Sequence, residues 1–308
     1  MHDRALKYLL AVVRTGSVRA AADVLNVAAS AVSRQIIDLE IEVGQPLLER
    51  LPRGVVPTEA GRIMAEHAQR EADERALLED RLRRLRGVEQ GTVRLCCGGG
   101  FLVDFMEQGL ARFAQTYGGV SFKVTLSTTD GILAAIAQGD ADIGMAYNPP
   151  AHADVRSVVT ARQPLLAVVP QDHPLKGSAG PVPLSTFAAE PAALFPPDHG
   201  IRQMLGRVEA DNGFRLISRL ETTSFELHRR FIASGLGVGF LPRFVVEEDV
   251  KAGAMRLVTL RDPLLAEART HLLLRAGRRL PEAARRLINH LAEHMIAFRG
   301  PDLTRECC

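Results

Sequence analysis

Apolar side chains recur at helical spacing through residues 17–39, SVRAAADVLNVAASAVSRQIIDL. Ser17 can begin a first helix, because its hydroxyl can accept a hydrogen bond from a free backbone N–H of the first turn. Asn26 tolerates a left-handed backbone and can end that helix. Between Ser17 and Asn26, one face of the helix carries the small or aliphatic side chains of Ala21, Ala22 and Leu25. The pattern therefore predicts a short amphipathic helix followed by a tight turn.

A second helix is predicted to begin at Ala29, since Val32, Ile36 and Leu39 then fall on one face at intervals of four and three residues. The small side chains of the first helix allow the two helices to approach closely. Such a pair has the spacing of a helix-turn-helix, whose second helix fits a DNA major groove. The spacing alone leaves another interpretation open, an antiparallel helix pair of an all-α domain.

Further elements are predicted on both sides of this pair. A helix is expected at 2–15, and two short strands at 47–50 and 55–57 form a hairpin whose tip carries Arg53. Thr58 can cap a long, highly charged helix that runs to about residue 86. Its apolar seam includes Leu78, Leu82 and Leu85. A helix of this length spans about 42 Å and cannot bury such a stripe by itself, which predicts pairing with a second copy of the chain.

Beyond residue 91 the pattern changes to alternating strands and helices. The first unit has predicted strands at 93–97, 120–126 and 142–147, with helices at 101–117 and 130–138 between them. This order predicts a parallel sheet with a ligand at the carboxyl ends of its strands. The second unit has predicted strands at 164–170, 192–195, 216–220 and 238–241, with helices at 201–211 and 224–234. A strand at 270–275 and a helix at 281–298 are expected to return to the first unit.

Residues 6–61 closely resemble the winged helix-turn-helix domain of the LysR-type transcriptional regulators. The resemblance rests on GS-x-x-x-AA at 16–22, AVSRQI at 31–36, LE at 39–40, G-x-P-L at 44–47 and ER-x-x-RG-x-x-x-T-x-AG at 49–61. GDADIG at 139–144 and SGLGVGFLP at 234–242 extend it into the rest of the chain. The resemblance is therefore essentially end to end.

The resemblance implies an α/β protein with a winged helix-turn-helix at 1–60, a linker and dimerisation helix at 61–88 and a periplasmic-binding-protein-like effector domain at 91–300. The first lobe of that domain is expected at about 92–162 and 268–299, and the second at about 163–267. The implied function is a ligand-switched transcriptional regulator that forms a homodimer or homotetramer. Its implied partners are a pseudo-palindromic double-stranded operator, a small-molecule effector and the transcription machinery.

The resemblance also assigns candidate DNA contacts. The second helix of the pair would enter the major groove and the hairpin would position the domain on the backbone, through Ala29, Ser30, Ser33, Arg34, Arg50, Arg53 and Thr58. The family commonly opens its recognition helix with Ser-Gln-Pro, whereas Ala28, Ala29 and Ser30 stand here. An alanine cannot form a hydrogen bond with a base edge, although its methyl group can contact a thymine methyl.

Candidate effector contacts follow from the ends of the predicted strands, where a two-lobed domain places its ligand. They are the loop and turn residues Gly99, Gly100, Phe101, Thr128, Thr129, Asn148, His199, Thr222 and Thr223. Thr129 stands where the family usually has a serine or threonine in the cleft. Each glycine could instead serve a tight turn, and each threonine could cap a helix. The set is rich in hydroxyl groups and poor in cations, so it does not indicate the charge of the ligand.

The charge and composition of the chain limit how it can bind DNA and where it is expected to lie in the cell. The net charge is +2 over 308 residues, and residues 1–62 hold eight basic and seven acidic side chains. DNA affinity must therefore come from a few placed arginines rather than from a broad positive field. No window approaches the roughly 18 apolar residues of a membrane span and no signal-peptide pattern begins the chain, which predicts a cytoplasmic protein without membrane contact. No cofactor is expected.

Two alternatives to a regulator remain open from the sequence. His290, Glu293 and His294 fit the H-x-x-E-H pattern of inverted zinc peptidases, although only Asp302 and Glu306 follow as acids that could complete a zinc site. This alternative is a zinc-dependent hydrolase, and the solvated face of a terminal helix is the simpler interpretation.

The other alternative is a ligand-binding or redox-sensing protein with reduced DNA specificity. It draws on the two alanines of the recognition helix and on the cysteine pairs at 96–97 and 307–308, whose spacing fits neither a disulfide framework nor a zinc site. Buried or incidental thiols explain these pairs more simply. No enzyme activity is expected from the chain, since the sequence shows no Ser/His/Asp arrangement and no pair of carboxylates that would indicate catalysis.

Overall fold

The computed structural model describes residues 3–52, 54–85, 91–175, 180–300 and 302–305. Its contacts divide the chain into two compact units, residues 1–86 and 87–308. The first unit contains four helices and a hairpin in its described part: α1 (Asp3–Thr15), α2 (Val18–Leu25), α3 (Ala29–Val43), β1 (Leu48–Leu51), β2 (Gly54–Pro57) and α4 (Glu59–Leu85). These bounds confirm the helix-turn-helix with a wing and a long following helix.

The pair α2 and α3 forms as the apolar spacing predicts. Ala21 and Ala22 are almost completely buried against Val32 and Ile36, together with Tyr8 and Val12 of α1. The Ser17 hydroxyl accepts from the Ala20 N–H at 3.3 Å and so caps α2. Asn26 ends α2 in the left-handed region with φ 55°. Because Ala21 and Ala22 are small, the two short helices can cross at close distance.

The wing packs onto the start of α4 through a glycine contact. Thr58 accepts from the Gly61 N–H at 3.0 Å, and the Thr58 N–H donates to the Leu47 carbonyl at 3.0 Å. A Cβ at Gly61 would lie 1.9 Å from that same carbonyl oxygen. Gly61 is therefore required for the close approach of α4 to the wing.

The second unit contains two sheets in its described residues, each the core of one lobe. The first lobe is built on six strands in the order β13-β6-β12-β5-β3-β4: β3 (Gly91–Cys97), β4 (Val120–Leu126), β5 (Ile143–Tyr147), β6 (Val155–Arg162), β12 (Arg269–Arg275) and β13 (Thr304–Arg305). The second lobe is built on five strands in the order β11-β7-β10-β8-β9: β7 (Leu165–Pro170), β8 (Pro191–Leu194), β9 (Ile217–Glu221), β10 (Val238–Pro242) and β11 (Met255–Thr259).

Helices cover both sheets. They are α5 (Leu102–Asp104), α6 (Ala111–Thr116), α7 (Thr129–Ala137), α8 (Gly200–Asn212), α9 (Phe225–Ala233), α10 (Arg243–Lys251), α11 (Pro263–Ala266) and α12 (Glu282–His294). Short 3₁₀ turns lie at Gly99–Phe101, Leu184–Phe187 and Ile296–Phe298, and a π-helical segment at Phe105–Leu110 joins α5 to α6. The helix predicted at 101–117 is therefore one interrupted rod, with a wider turn where Gly109 packs against Leu291.

The parallel sheet predicted for the strands at 93–97, 120–126 and 142–147 is confirmed, but each lobe as a whole has a mixed sheet. In the first lobe only β4, β3 and β5 are parallel, and β12, β6 and β13 run antiparallel to their neighbours. In the second lobe β7 pairs antiparallel with β10 and β11. The strands β6 and β11 and the helix α10 were not predicted at all. The antiparallel strands arise because the chain crosses between the lobes and returns.

In the described residues the chain passes between the two sheets at two crossovers, residues 163–164 and 266–268. The crossovers are joined by a hydrogen bond of 2.8 Å from the Gln163 N–H to the Ala268 carbonyl. Arg162 adds a bond of 3.0 Å from its Nε to the Ala266 carbonyl. This pair of adjacent segments therefore links the two lobes, whose buried apolar side chains also join in one continuous cluster.

Candidate functional site

The exposed face of α3 carries the predicted DNA contacts. Ala29, Ser30 and Arg34 are exposed and Ser33 is half-buried, because the core side of this helix is occupied by Val32, Ile36 and Leu39. Arg34 makes no ion pair with the part of the chain that the structure describes, so its guanidinium is free for an acceptor on a ligand.

The predicted contacts in and beside the wing differ from one another. Arg50 is exposed on β1, and Arg53 lies outside the described residues. The Thr58 hydroxyl donates to the Pro46 carbonyl at 2.7 Å while it caps α4, so its hydrogen is already used inside this unit. Ala28 begins α3 without a side-chain cap.

A cavity of about 530 Å³, counted out to its open mouth, lies between the two lobes. Its lining comes from strand ends and helix starts of both: Gly98, Gly99, Gly100, Phe101, Ser127, Thr128, Thr129, Ile132, Tyr147, His199, Gly200, Ile201, Phe225, Pro242, Phe244 and Val245. None of these residues carries a fixed charge. A cleft between two lobes is a common place for a small molecule to bind.

Two helix N-termini meet at this cavity. Thr128 caps α7 by accepting from the Gly131 N–H, and His199 caps α8 by accepting from the Ile201 N–H through Nδ1. The two ends face each other closely, since a Cβ at Gly200 would lie 3.4 Å from the Thr129 hydroxyl. First-turn N–H groups lack intrahelical partners and carry partial positive charge. The first turns of two helices therefore border the cavity, and its lining contains no cationic side chain.

His199 is a neutral hydrogen-bond donor in this cavity. Burial lowers the pKa of His199 from 6.5 to about 4, and the neighbouring His228 adds to that effect. Because Nδ1 accepts from Ile201, the proton of the neutral ring is on Nε2. The ring stacks on Phe195 at 3.9 Å between centroids, and Phe195 stacks on His228 at 4.0 Å. This stack fixes the orientation of the donor.

Six of the nine predicted effector contacts line the cavity, namely Gly99, Gly100, Phe101, Thr128, Thr129 and His199. Gly100 is needed for close approach, since a Cβ there would lie 2.9 Å from the Phe225 ring of the other lobe. Thr128 also caps a helix, as the other interpretation predicted, because its side chain accepts from the Gly131 N–H.

Asn148, Thr222 and Thr223 do not line this cavity. Asn148 adopts a left-handed backbone with φ 47°, and its amide points to the Met204 sulfur at 3.6 Å. The Thr222 hydroxyl accepts from the Ser224 N–H at 3.1 Å. These residues follow strands as predicted, but their turns direct the side chains elsewhere.

The sequence did not single out the aromatic wall of the cavity. Tyr147 ends β5, and Phe225 and Phe244 begin α9 and α10. The Phe244 ring lies 5.1 Å from that of Phe101 and 6.4 Å from that of Tyr147. A signal was available only for Tyr147, which is the last residue of a predicted strand. The other two are brought to the cavity by the fold of the second lobe.

The histidines of the H-x-x-E-H pattern do not converge on a metal. His290 and His294 stack on each other at 4.1 Å between centroids. His290 Nε2 lies 3.1 Å from the Gly109 carbonyl, and His294 Nδ1 lies 2.9 Å from the His290 carbonyl. In the described ranges no group of three histidine, cysteine or acidic side chains is placed to hold a metal ion.

Cys96 and Cys97 lie inside the first lobe on β3, and Cys307 and Cys308 lie outside the described residues. Burial raises the pKa of the Cys96 thiol, and burial together with Cys96 raises the pKa of Cys97 to about 12. Because the thiolate is the reactive form, both buried thiols are unreactive at neutral pH.

Comparison with known families decides between these interpretations. Residues 4–62 match the model of the bacterial regulatory helix-turn-helix protein of the lysR family, and residues 86–296 match the LysR substrate binding domain. The chain belongs to the LysR family. It is therefore a DNA-binding transcriptional regulator with an effector-binding domain, and the hydrolase and redox-sensor alternatives have no support.

Similar proteins match this LysR-family chain over most of its length. The RuBisCO operon transcriptional regulator of Allochromatium vinosum is 28% identical over 91% of this chain and 92% of its own. The regulator CbbR of Sinorhizobium medicae is 28% identical over 84% of this chain and 82% of its own. A full-length OxyR variant from Pseudomonas aeruginosa has the same fold, with a TM-score of 0.72, 18% identity and coverage of 100% and 99%. No helix in the described part of the regulator is both long and apolar enough to span a bilayer.

Proposed function

We propose that α3 reads one half of a pseudo-palindromic operator through Ser33 and Arg34, with Ala29 and Ser30 close to the bases and with Arg50 and Arg53 on the backbone. Thr58, whose hydroxyl hydrogen is used inside the unit, holds the start of α4 against the wing. The observation that supports this is the exposed guanidinium of Arg34, which has no ion-pair partner among the described residues and lies beside small side chains on the face of α3 that the core leaves open. An arginine in this position suits a guanine edge, and the alanine methyl group suits a thymine methyl.

A second copy of the chain completes this proposal. The apolar side chains of Ile63, Leu78 and Leu82 on α4 are 56%, 56% and 49% exposed, an arrangement that a second α4 would bury. Two-fold pairing places two recognition helices on one duplex and requires an operator with matching symmetry. The site of action is then the chromosome, so a cytoplasmic location and contact with the transcription machinery belong to the same proposal.

The effector that fits the cavity is a small acid. Carboxylate or phosphate oxygens are stabilised at helix N-termini, and here α7 and α8 present two such ends with the hydroxyls of Ser127 and Thr129. His199 Nε2–H adds a neutral donor, and the aromatic wall of Tyr147, Phe225 and Phe244 contacts the less polar part of the molecule. Without a fixed cation in the lining, binding depends on these oriented dipoles.

The DNA part is tested by fluorescence anisotropy with DNA from the region upstream of the regulator's own gene and random DNA as competitor. We expect Arg34→Ala to lose about tenfold to a hundredfold in affinity, as for a lost base contact, and to lose the preference over random DNA. Arg70→Ala removes one exposed positive charge from α4 and is the matched control. Equal effects of both variants would show that Arg34 contributes charge only.

The effector part uses the same assay with added small acids. Phosphoglycerate and glycerate are the first probes, because one carries both a phosphate and a carboxylate and the other a carboxylate alone, the two acid groups that helix N-termini stabilise. An acid that binds in the cavity should change operator affinity in the wild type and in Thr125→Val, whose site is an exposed position of β4. Thr129→Val should abolish the response, and a response that survives this change would place the effector elsewhere.

A further inference from the structure

Gln163 occupies the first crossover between the lobes and forms four hydrogen bonds with described residues. Its backbone N–H donates to Ala268 of the second crossover at 2.8 Å. Its side-chain Nε2 donates to the carbonyls of Ile296 at 3.0 Å and Arg299 at 2.8 Å. Its carbonyl accepts from the Tyr147 hydroxyl at 2.8 Å. Gln163 is therefore bonded to the second crossover, to the 3₁₀ turn at Ile296–Phe298 and its following residue, and to Tyr147 in the wall of the cavity.

The acceptors of the Gln163 side chain are themselves fixed to the first lobe. The Asp104 carboxylate accepts from the N–H groups of Ile296 and Ala297 at 3.0 and 2.8 Å. The Thr270 hydroxyl donates to the Ala297 carbonyl. Gln163 is only 7% exposed, so these bonds are shielded from water and losing one leaves a buried polar group unpaired. The first crossover is thus anchored on a rigid part of the first lobe.

The bond from Tyr147 reaches the crossover from the cavity side. Tyr147 lines the cavity, its ring lies 6.4 Å from that of Phe244 in the second lobe, and its hydroxyl donates to the carbonyl of the Gln163–Pro164 peptide. Proline restricts the backbone of the residue before it, so Gln163 has few conformations available at the crossover. A ligand in contact with the Tyr147 ring is therefore one hydrogen bond away from the point at which the second lobe is attached.

We propose that Gln163 is the residue that sets the angle between the two lobes, and that Tyr147 transmits occupancy of the cavity to it. The second half rests on the proposed function, because it requires an effector in this cavity. Gln163 acts as a positioning residue and needs no contact with the effector. The differential contact that a switch requires is the Tyr147 hydroxyl bond, which one lobe arrangement keeps and another loses.

The lobe angle can be measured without an effector. Ala114→Cys on α6 and Ala210→Cys on α8 place one spin label on each lobe at exposed positions, and double electron–electron resonance then reports the distance between them. Cys307→Ser and Cys308→Ser remove the other thiols, while buried Cys96 and Cys97 do not react. The double-cysteine chain is co-expressed with an excess of chain that carries only Cys307→Ser and Cys308→Ser, and the purified protein is then labelled, so that distances between copies do not contribute.

We expect Tyr147→Phe and Gln163→Leu each to broaden or shift the distance distribution. Tyr147→Phe keeps the ring and removes only the hydroxyl, so it remains informative if Gln163→Leu fails to fold. Tyr117→Phe, also in the first lobe, is the control for loss of a hydroxyl. Asp142→Asn is the control for stability, since it weakens the buried ion pairs of Asp142 with Arg94 and Arg278 inside the first lobe and should lower the melting temperature without changing the distance.

Unchanged distributions in both Tyr147→Phe and Gln163→Leu would overturn the proposal. A change in Gln163→Leu alone would overturn the role of Tyr147, and equal changes in Asp142→Asn would reduce both effects to general loss of stability. The outcome is separate from that of the effector proposal, which depends on the response of operator affinity to small acids and on Thr129→Val.

Discussion

At the scale of single residues, two helical glycines should respond to alanine in opposite directions. A Cβ at Gly61 would lie 1.9 Å from the Leu47 carbonyl oxygen, and backbone at that position cannot give way cheaply. A Cβ at Gly206, inside α8, would meet its nearest atom at 3.6 Å, which is ordinary contact. The same substitution therefore probes steric exclusion at one site and helix propensity at the other.

We expect Gly61→Ala to destabilise the DNA-binding unit by about 3 kcal/mol or more, the upper range for overpacking, and to weaken operator binding. Gly206→Ala should stabilise the effector domain by roughly 0.5–1 kcal/mol, because glycine is a poor helix former. Urea unfolding followed by circular dichroism gives both values. A neutral Gly61→Ala would mean that α4 and the wing do not approach as closely as described.

At the scale of elements, α3 begins without a capping side chain. Ala28 has the extended backbone of an N-cap residue, with φ −70° and ψ 139°, and a serine there could accept one of the free N–H groups. We expect Ala28→Ser to stabilise the DNA-binding unit by about 1 kcal/mol in urea unfolding. Ala31→Ser lies exposed within the same first turn and should be neutral or slightly destabilising. Equal changes in the two variants would contradict capping.

The elements predicted well are those whose signals are local. The helix α2 carries its cap at Ser17, its left-handed end at Asn26 and its apolar face within a few residues of one another, so sequence alone identifies it. The strand β6 has no such signal, because its partner β12 lies far along the chain and its direction follows from the crossovers.

The candidate effector site divides in the same way. Thr128 and Thr129 follow a strand and begin a helix, a local pattern that places them at a sheet edge, and both line the cavity. Phe225 and Phe244 come from the other lobe and face the cavity only because the two lobes close on each other. Spacing along the chain carries no information about such a contact.

At the scale of the whole molecule, buried histidines make the effector domain sensitive to acid. Burial lowers the pKa of His199 and of His271 to about 4 each, and burial also lowers the pKa of His228. In the unfolded chain a histidine has a pKa of about 6.5. Since the unfolded state binds protons first, stability is complete above pH 6.5 and is lost as pH falls from there towards about 4.

We expect the free energy of unfolding to fall by up to about 1.4 kcal/mol per pH unit for each such histidine across this window. His271 Nδ1 forms a hydrogen bond of 2.8 Å with the Ser157 hydroxyl. His271→Asn keeps a polar partner for Ser157 and removes the titrating ring. This variant should show a shallower dependence of stability on pH between 6.5 and 4 in urea unfolding. His152→Asn changes an exposed histidine of the first lobe and should leave the slope of the wild type unchanged. Because the slope is compared and not the stability itself, a general loss of packing in His271→Asn does not imitate the effect. Parallel lines for wild type and His271→Asn would show that this ring is protonated as readily in the folded domain as in water.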